Sequence, residues 1–396
     1  MFSFYKTGAH ESAPLGEWGL YYWHLDYSHG FIKRSLIGAI FQGIVHDQSD
    51  ATIAKVLQTH AVTFWVFVSI MAVLFSQRVL DARERSERTN LIGLGVLFFL
   101  SPLVSGLGYT IGFVDIFLFL FFIIAVSLFR QKHYFIGVLV ATTAPFIHEG
   151  FVFLWGGFIF ILFIDWLLEG RPKSNIYLVF LACLPIIADV CVVCLSDHTA
   201  ANLTIDAFPF GAGVKNILKE QQFGFSVMET LQVNHDRITH NPVHYLLLLI
   251  YSTLPAFALA AYSFFHPFYR AHRMLIGLRC FIPVFLTLLI TFVGYDWSRL
   301  MSWTCLTASV VLLFPPMKSE EELISVKKPD MKKYPAHNAY KIILAAMTVC
   351  YFFWPSLWLQ DRWERDGIKI NENYANYSFL KESIPDKLLI HILNRS

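Results

Sequence analysis

Charge is what this sequence has least of. Only 15% of its 396 residues are Asp, Glu, Lys or Arg, and 31 basic against 29 acidic residues leave a net charge of +2. That near-balance excludes a nucleic-acid-binding surface, which needs a clear basic excess. Cysteine is sparse too. Cys183, Cys191, Cys194, Cys280, Cys305 and Cys350 all fall in apolar segments, which excludes a disulfide-stapled secreted fold. Cys191 and Cys194 have redox or zinc spacing but lie inside an apolar run, and they read as small packing residues. The first 30 residues lack a basic start followed by an apolar stretch, so no cleavable leader is expected. There is no internal repeat, no low-complexity tract and no zincin pattern of two histidines flanking a glutamate.

What the chain does have is apolar length. It is 56% hydrophobic and 16% aromatic. Apolar runs cover residues 60–77, 91–107, 111–129, 134–147, 150–167, 176–195, 243–265, 275–293, 300–314 and 342–359. A run of about 18 residues with almost no charge reads as a membrane-spanning helix. The expected fold class is therefore an all-α polytopic membrane protein of about 10–11 transmembrane helices, several of them short and paired. One transmembrane domain spans 1–396. The apolar stretch 35–46 is too short to cross a bilayer at about 1.5 Å per residue. It is expected as an amphipathic interfacial helix with Lys33 and Arg34 at its start.

Lys and Arg set the orientation. Basic loops occur at 78–88, 130–132, 169–173, 270–273 and 316–341. They alternate along the chain, so this set is expected on the cytoplasmic side. The outer side then holds the N-terminal segment 1–59, the turn at 108–110, the vertex at His148, the loop 196–242, the turn at 295–299 and the tail 360–396. Two glycosylation sequons, Asn202-Leu-Thr204 and Asn376-Tyr-Ser378, fall on that side.

The remaining charges collect on the same side, and this makes them candidates for a polar site rather than stray costs in lipid. Asp26 precedes Lys33 and Arg34 at the entrance to the short helix. A carboxylate there can take a proton, and the two cations can hold a phosphate at the helix start. Asp115 stands about one turn into a helix after a glycine-rich vertex, where the helix dipole also favours an acid. His148 and Glu149 lie side by side between two apolar runs. They read as an acid–base pair, as two ligands for a divalent metal such as Mg or Mn, or as a helix-cap pair. Asp296, Trp297 and Arg299 form a fourth group. Its arginine suits a phosphate, its indole suits a sugar face, and its acid can instead pair with the arginine along one helix face.

Asp26 ahead of an interfacial helix, together with Asp115 after a glycine vertex, resembles the GT-C-type membrane glycosyltransferases. The stretch Asp26…Gly30-Phe31…Arg34…Gly38, with His148-Glu149 and Asp296…Arg299 as later stations, also looks like envelope proteins of bacterial polysaccharide gene clusters. The resemblance departs at the N-terminus, where no clear span precedes Asp26. It implies an inverting transferase in a bacterial inner membrane, with its active site facing the periplasm. The donor would be a sugar on a polyprenyl-phosphate carrier, and the acceptor a glycan or a lipid-linked molecule. Asp26 would be the base, with His148 and Glu149 also catalytic. Lys33, Arg34, Asp115, Asp296, Trp297 and Arg299 would bind substrate. A polymerase of the O-antigen type, acting on lipid-linked glycan blocks, is the nearest alternative. A lipid-linked glycan transporter is the alternative outside enzymes, and a membrane acyltransferase is a further one.

Overall fold

The computed structural model describes residues 17–44, 50–82, 85–101, 104, 107, 114–169, 173–208, 212–219, 227–240, 242–265, 272–290 and 297–316. Among the described residues every regular element is helical. The N-terminal elements are α1 (Glu17–His24), α2 (Leu36–Ile44), α3 (Asp50–Asp81) and α4 (Arg85–Leu100). The middle of the chain forms α5 (Asp115–Arg130), α6 (Tyr134–Thr143) with a 3₁₀ turn Ala144–Phe146, α7 (Phe151–Leu168), α8 (Lys173–Ala182) and α9 (Leu184–Leu195). Three helices follow, α10 (His198–Ala207), α11 (Ala212–Leu218) and α12 (Val227–His240). The last described elements are α13 (Pro242–Phe265), α14 (Arg273–Leu288) and α15 (Trp297–Leu313).

Three helical segments are long and apolar enough to cross a membrane: Lys55–Asp81, Phe151–Leu168 and Ile176–Leu195. Tyr134–Phe146, Thr253–Phe264 and Trp303–Leu313 are shorter apolar helices. The most apolar segment, Ile176–Leu195, is only 22% buried. Its exposed Phe180, Ile187, Val190 and Val193 would be untenable in water, but they suit lipid. The all-helical build and these three segments are consistent with a helical membrane protein. The tail 360–396, the run 342–359 and all but the first residue of the segment 316–341, expected on the cytoplasmic side, lie outside the described residues.

The segment 196–242, expected as an outer loop, is largely helical. Asp197 shows why. Its Oδ1 accepts the backbone N–H of Thr199 at 2.7 Å and of Ala200 at 3.3 Å, which caps the orphan donors at the start of α10. The expected span 176–195 is likewise two helices in line. The chain breaks at Cys183, because Pro185 in the first turn of α9 cannot donate a helix hydrogen bond. Ile186 then bonds back to Cys183 at 3.1 Å, and the indole of Trp155 takes the freed carbonyl of Ala182 at 2.7 Å.

Small residues let the central helices approach. A Cβ on Gly157 of α7 would meet Pro283 of α14 and Thr307 of α15 at 3.3 Å each. Beside this contact the hydroxyls of Thr287 and Thr307 share a hydrogen bond of 2.8 Å. Close packing plus interhelical hydrogen bonds is how helices associate where lipid removes the hydrophobic drive between them.

At one end of this bundle sits a dry ionic clamp. Asp165 of α7 and Arg279 of α14 are 0% and 1% exposed, with Nε donating to Oδ1 at 2.6 Å. Arg130, at the end of α5, donates to Asp165 Oδ2 at 3.0 Å. The two guanidinium groups also donate to the Phe314 carbonyl, at 2.6 Å from Arg279 and 3.3 Å from Arg130. Sequence position alone suggests that Arg279 snorkels to the interface. Burial and a matched acid hold it inside instead. Asp165 carries no signal in its local sequence, because its partners lie 114 and 35 residues away.

Candidate functional site

The opposite end of α7 carries the site. The chain turns from α6 through the 3₁₀ element and reaches His148-Glu149-Gly150 just before α7 begins. Glu149 therefore sits at a helix N-terminus, where the dipole favours a carboxylate. Its oxygens are shared between two cations from a distant part of the chain. Arg34 makes a fork, with Nε donating to Oε2 at 2.7 Å and NH2 donating to Oε1. Lys33 Nζ donates to Oε1 at 3.2 Å. A third donor of Arg34, NH1, reaches the Tyr21 hydroxyl of α1 at 3.3 Å.

Burial by itself would raise the Glu149 carboxyl, but Arg34 and Lys33 outweigh it and hold the group well below the usual carboxylate range. Burial likewise pushes the Tyr21 phenol far above its ordinary value, with Tyr22 adding to the effect and Arg34 opposing it. Glu149 is thus a fixed anion rather than a base, and its chemical role is to hold the two cations.

His148 is fixed in a different way. Its Nδ1 accepts the backbone N–H of Gly150 at 3.0 Å. This places the proton of the neutral ring on Nε2. The 3.7 Å between Nδ1 and Glu149 Oε2 is too long for a hydrogen bond. The ring stands edge-on to Trp303 of α15, with 5.8 Å between centroids. A Cβ on Gly150 would meet that indole at 2.9 Å, so the vertex and α15 are in close contact.

The loop that presents Lys33 and Arg34 is tightly built. Arg34 itself has a φ of 67°, a left-handed conformation that costs a non-glycine residue about 1–2 kcal/mol. Such strain persists where the surroundings impose it. Here Lys33 N–H donates to Ser196 Oγ at 3.0 Å, and Asp197 N–H donates to the Phe31 carbonyl at 2.8 Å. Downstream, α2 buries Ile37, Gly38 and Phe41 against the bundle. A Cβ on Gly38 would overlap the Leu25 carbonyl oxygen and come within 2.7 Å of the Tyr22 carbonyl oxygen.

The structure thus brings together Lys33, Arg34, His148 and Glu149. Asp26 heads the same loop, half-buried. Its Oδ1 accepts the N–H of Ser28 at 3.0 Å and the hydroxyl of Ser28 at 2.6 Å, a local turn that leaves Oδ2 clear among the described residues. Asp115 is buried at the first position of α5. Trp297 and Arg299 lie in the first turn of α15, with Arg299 one turn ahead of Trp303; Asp296 lies outside the described residues.

The donor set does not fit the divalent metal considered for His148 and Glu149. Both Glu149 oxygens are taken by cations, and His148 Nδ1 is taken by Gly150. Among the described residues no group of three or more His, Cys, Asp or Glu side chains could hold a metal ion.

Two buried polar side chains fall outside the candidates read from the sequence. Tyr21 is fully buried and bonded to Arg34. Asp189, inside the apolar run of α9, is 5% exposed. An acid inside so apolar a run is the signal that could have marked it.

A groove of about 250 Å³ lies among α1, α2, α3 and the start of α5. Trp23, Ile37, Phe41 and Phe117 form its apolar walls, and Lys55 and Gln58 of α3 stand among its lining residues. Trp23 belongs to the helix that carries Tyr21, and Phe117 follows Asp115 by two positions. No protein-family model, curated protein or solved structure matched this chain.

Proposed function

We propose that this chain is an integral membrane glycosyltransferase. It moves a sugar from a polyprenyl-phosphate carrier to a glycan or lipid-linked acceptor at the outer face of a bacterial inner membrane. The reading includes about 10–11 spans, several short and paired, with α2 lying in the interface. The observation that carries it is the cluster of Lys33, Arg34, Glu149 and Tyr21. A preorganised pair of cations suits a phosphate, and the groove lined by Trp23, Ile37 and Phe41 suits a long apolar chain.

The chemistry follows from the leaving group. Asp26 Oδ2 accepts the proton of an acceptor hydroxyl. That oxygen attacks the anomeric carbon from the face opposite the phosphate, and the carbon–oxygen bond to phosphate breaks. The bonding pair leaves on the carrier phosphate, where Lys33 and Arg34 meet it. Glu149 keeps both cations in place without itself moving a proton. His148 Nε2–H, with Asp115, Asp296, Trp297 and Arg299, would contact the sugars. The carrier chain would lie along the groove lined by Trp23, Ile37 and Phe41.

The test is glycan transfer in isolated membranes supplied with a pool of lipid-linked sugars. Asp26→Asn should cut transfer by about 10²–10⁴-fold, the usual contribution of a positioned base. Full transfer by that variant at equal expression would remove the assignment. The paired cations also favour a polymerase reading, in which whole lipid-linked blocks are joined; a ladder of products would indicate it. Uptake of intact lipid-linked glycan without transfer would indicate the transporter.

A further inference from the structure

Lys55 and Gln58 have no place in the scheme above, yet they form one wall of the groove. They are three positions apart on α3 and share a helix face. Thr59 lies on that face too, but its hydroxyl is spent on the Lys55 carbonyl at 2.8 Å. The polar contacts this wall offers a ligand are therefore the Lys55 ammonium and the Gln58 amide. Both side chains are exposed, and Lys55 makes no ion pair among the described residues. Lys55 is also the first residue of Lys55–Asp81, one of the segments long and apolar enough to cross a membrane. A lysine at the end of such a segment stands at headgroup level, with its stem along apolar surface.

The facing wall is apolar. From α2 it takes Ile37, Ile40, Phe41 and Ile44, the i, i+3, i+4, i+7 stripe of one helix face. Ile40 and Ile44 are 54% and 74% exposed, so the groove is open along this side. Its floor is Trp23, which stands edge-on to Phe41 at 4.9 Å and to Phe117 at 5.8 Å between centroids. The Gln42 amide donates to the Trp23 carbonyl at 3.1 Å and ties α1 to α2. The volume of about 250 Å³ is below the roughly 300–1,000 Å³ of sites that enclose a whole small molecule. It suits a stretch of one hydrocarbon chain, with the rest of the molecule in the bilayer. A free anion would leave the apolar wall unused, and a neutral lipid would leave Lys55 unpaired.

We infer that the groove holds one acyl chain of an anionic phospholipid of the phosphatidylglycerol class. The lipid phosphate pairs with the Lys55 ammonium, and the Gln58 amide donates to a phosphate oxygen. The chain runs along the isoleucine stripe of α2, over Trp23 and Phe117. This site does not depend on sugar transfer. Where the carrier chain enters the groove, as in the scheme above, it takes the place of this lipid.

Photolabelling of the full-length protein in nanodiscs tests this. The probe is phosphatidylglycerol with a diazirine on one acyl chain, present as a minor component of a phosphatidylcholine bilayer. Peptide mapping should place label on α2 between Ile37 and Ile44, in excess over the exposed face of α9. That face, with Phe180, Ile187 and Val190 on the segment Ile176–Leu195, is the reference for lipid that merely surrounds the protein. The same diazirine chain on phosphatidylcholine should label α2 about fivefold less, the weight of one lysine on an anionic lipid. Lys55→Gln should remove that difference and leave the α9 label unchanged, while Lys55→Arg should keep it. Lys55 is exposed, so neither substitution endangers the fold. Equal α2 labelling by the two lipids would overturn the inference, as would a preference that survives Lys55→Gln or label no denser on α2 than on α9. The reaction contains no sugar donor. The expected pattern in a protein that transfers no sugar therefore supports the lipid site and sinks the transferase reading alone.

Discussion

Replacing Glu149 by Gln removes one charge and almost no volume, and this makes it the sharpest probe of the cluster. The amide oxygen can still accept one bond from Arg34, but the anion between two cations is gone. Removing one partner of a buried ion pair typically costs about 3–5 kcal/mol. The side chains here are 13–19% exposed, so water relieves part of the loss, and about 2–3 kcal/mol is expected. At about 2 °C per kcal/mol for a chain of this size, the melting temperature should fall by about 4–6 °C. Thermal denaturation in detergent, followed by size-exclusion fluorescence, measures this.

The double variant Arg34→Gln with Glu149→Gln should recover most of the fall, with a coupling of about 2 kcal/mol. The pH dependence carries the same sign. The folded carboxyl is depressed, so its contribution is complete above the unfolded value of about 4.3 and is lost as the pH falls below that toward the folded value. Wild type should lose this stability in acid, while Glu149→Gln should show a flatter acid limb. A coupling within about 0.5 kcal/mol of zero would refute the claim that this anion organises the cations.

Three further outcomes follow from other parts of the molecule. Arg34→Lys keeps the charge but loses the fork and the reach to Tyr21; phosphate binding, read by geranyl phosphate titration, should weaken at least about tenfold while folding is retained. Gly38→Ala should cost about 1–3 kcal/mol through overpacking against the Leu25 and Tyr22 carbonyls, and transfer should fall with it; a melting temperature equal to wild type would mean that α1 and α2 are not in contact. Asp165→Asn should cost about 3–5 kcal/mol by leaving Arg279 and Arg130 unmatched, whereas Asp165→Leu with Arg279→Met and Arg130→Met should restore most of it. In both clamp variants, transfer at a permissive temperature should persist, because the clamp is at the far end from Glu149.

The sequence was most legible where periodicity and local context decide the structure. Apolar length marked helices, three of them long and apolar enough to cross a membrane, and a short apolar stretch after two cations marked α2. The pairing of Lys33 and Arg34 with His148 and Glu149 was foreshadowed only because all four fall at ends of apolar runs on the same predicted side. Which atoms meet was not legible, since Glu149 and its cations are 115 and 116 residues apart. That separation is why Glu149 reads as an acid–base partner in sequence and as a fixed counter-ion in space. The same limit hid Asp165, whose partners come from two other helices. Asp26 shows the reverse case. Its own neighbour Ser28 accounts for one carboxylate oxygen, a local turn that sequence can suggest but that a search for catalytic acids passes over.

The bond between the Lys33 backbone and Ser196 spans 163 residues, and this distance has a consequence for how the protein is made. At about 5–20 residues per second of synthesis, the loop at Lys33 emerges roughly ten to thirty seconds before the segment that fastens it. Glu149 arrives earlier in that interval but still leaves two uncovered cations waiting near the start of the chain. Positive charge close to the first apolar helix biases that end toward the cytoplasm. In the proposed outer-face orientation, the nascent chain would be held against its own charge bias until the acid that neutralises it has been inserted. Orientation in the membrane and completion of the site would then be a single late event in biogenesis.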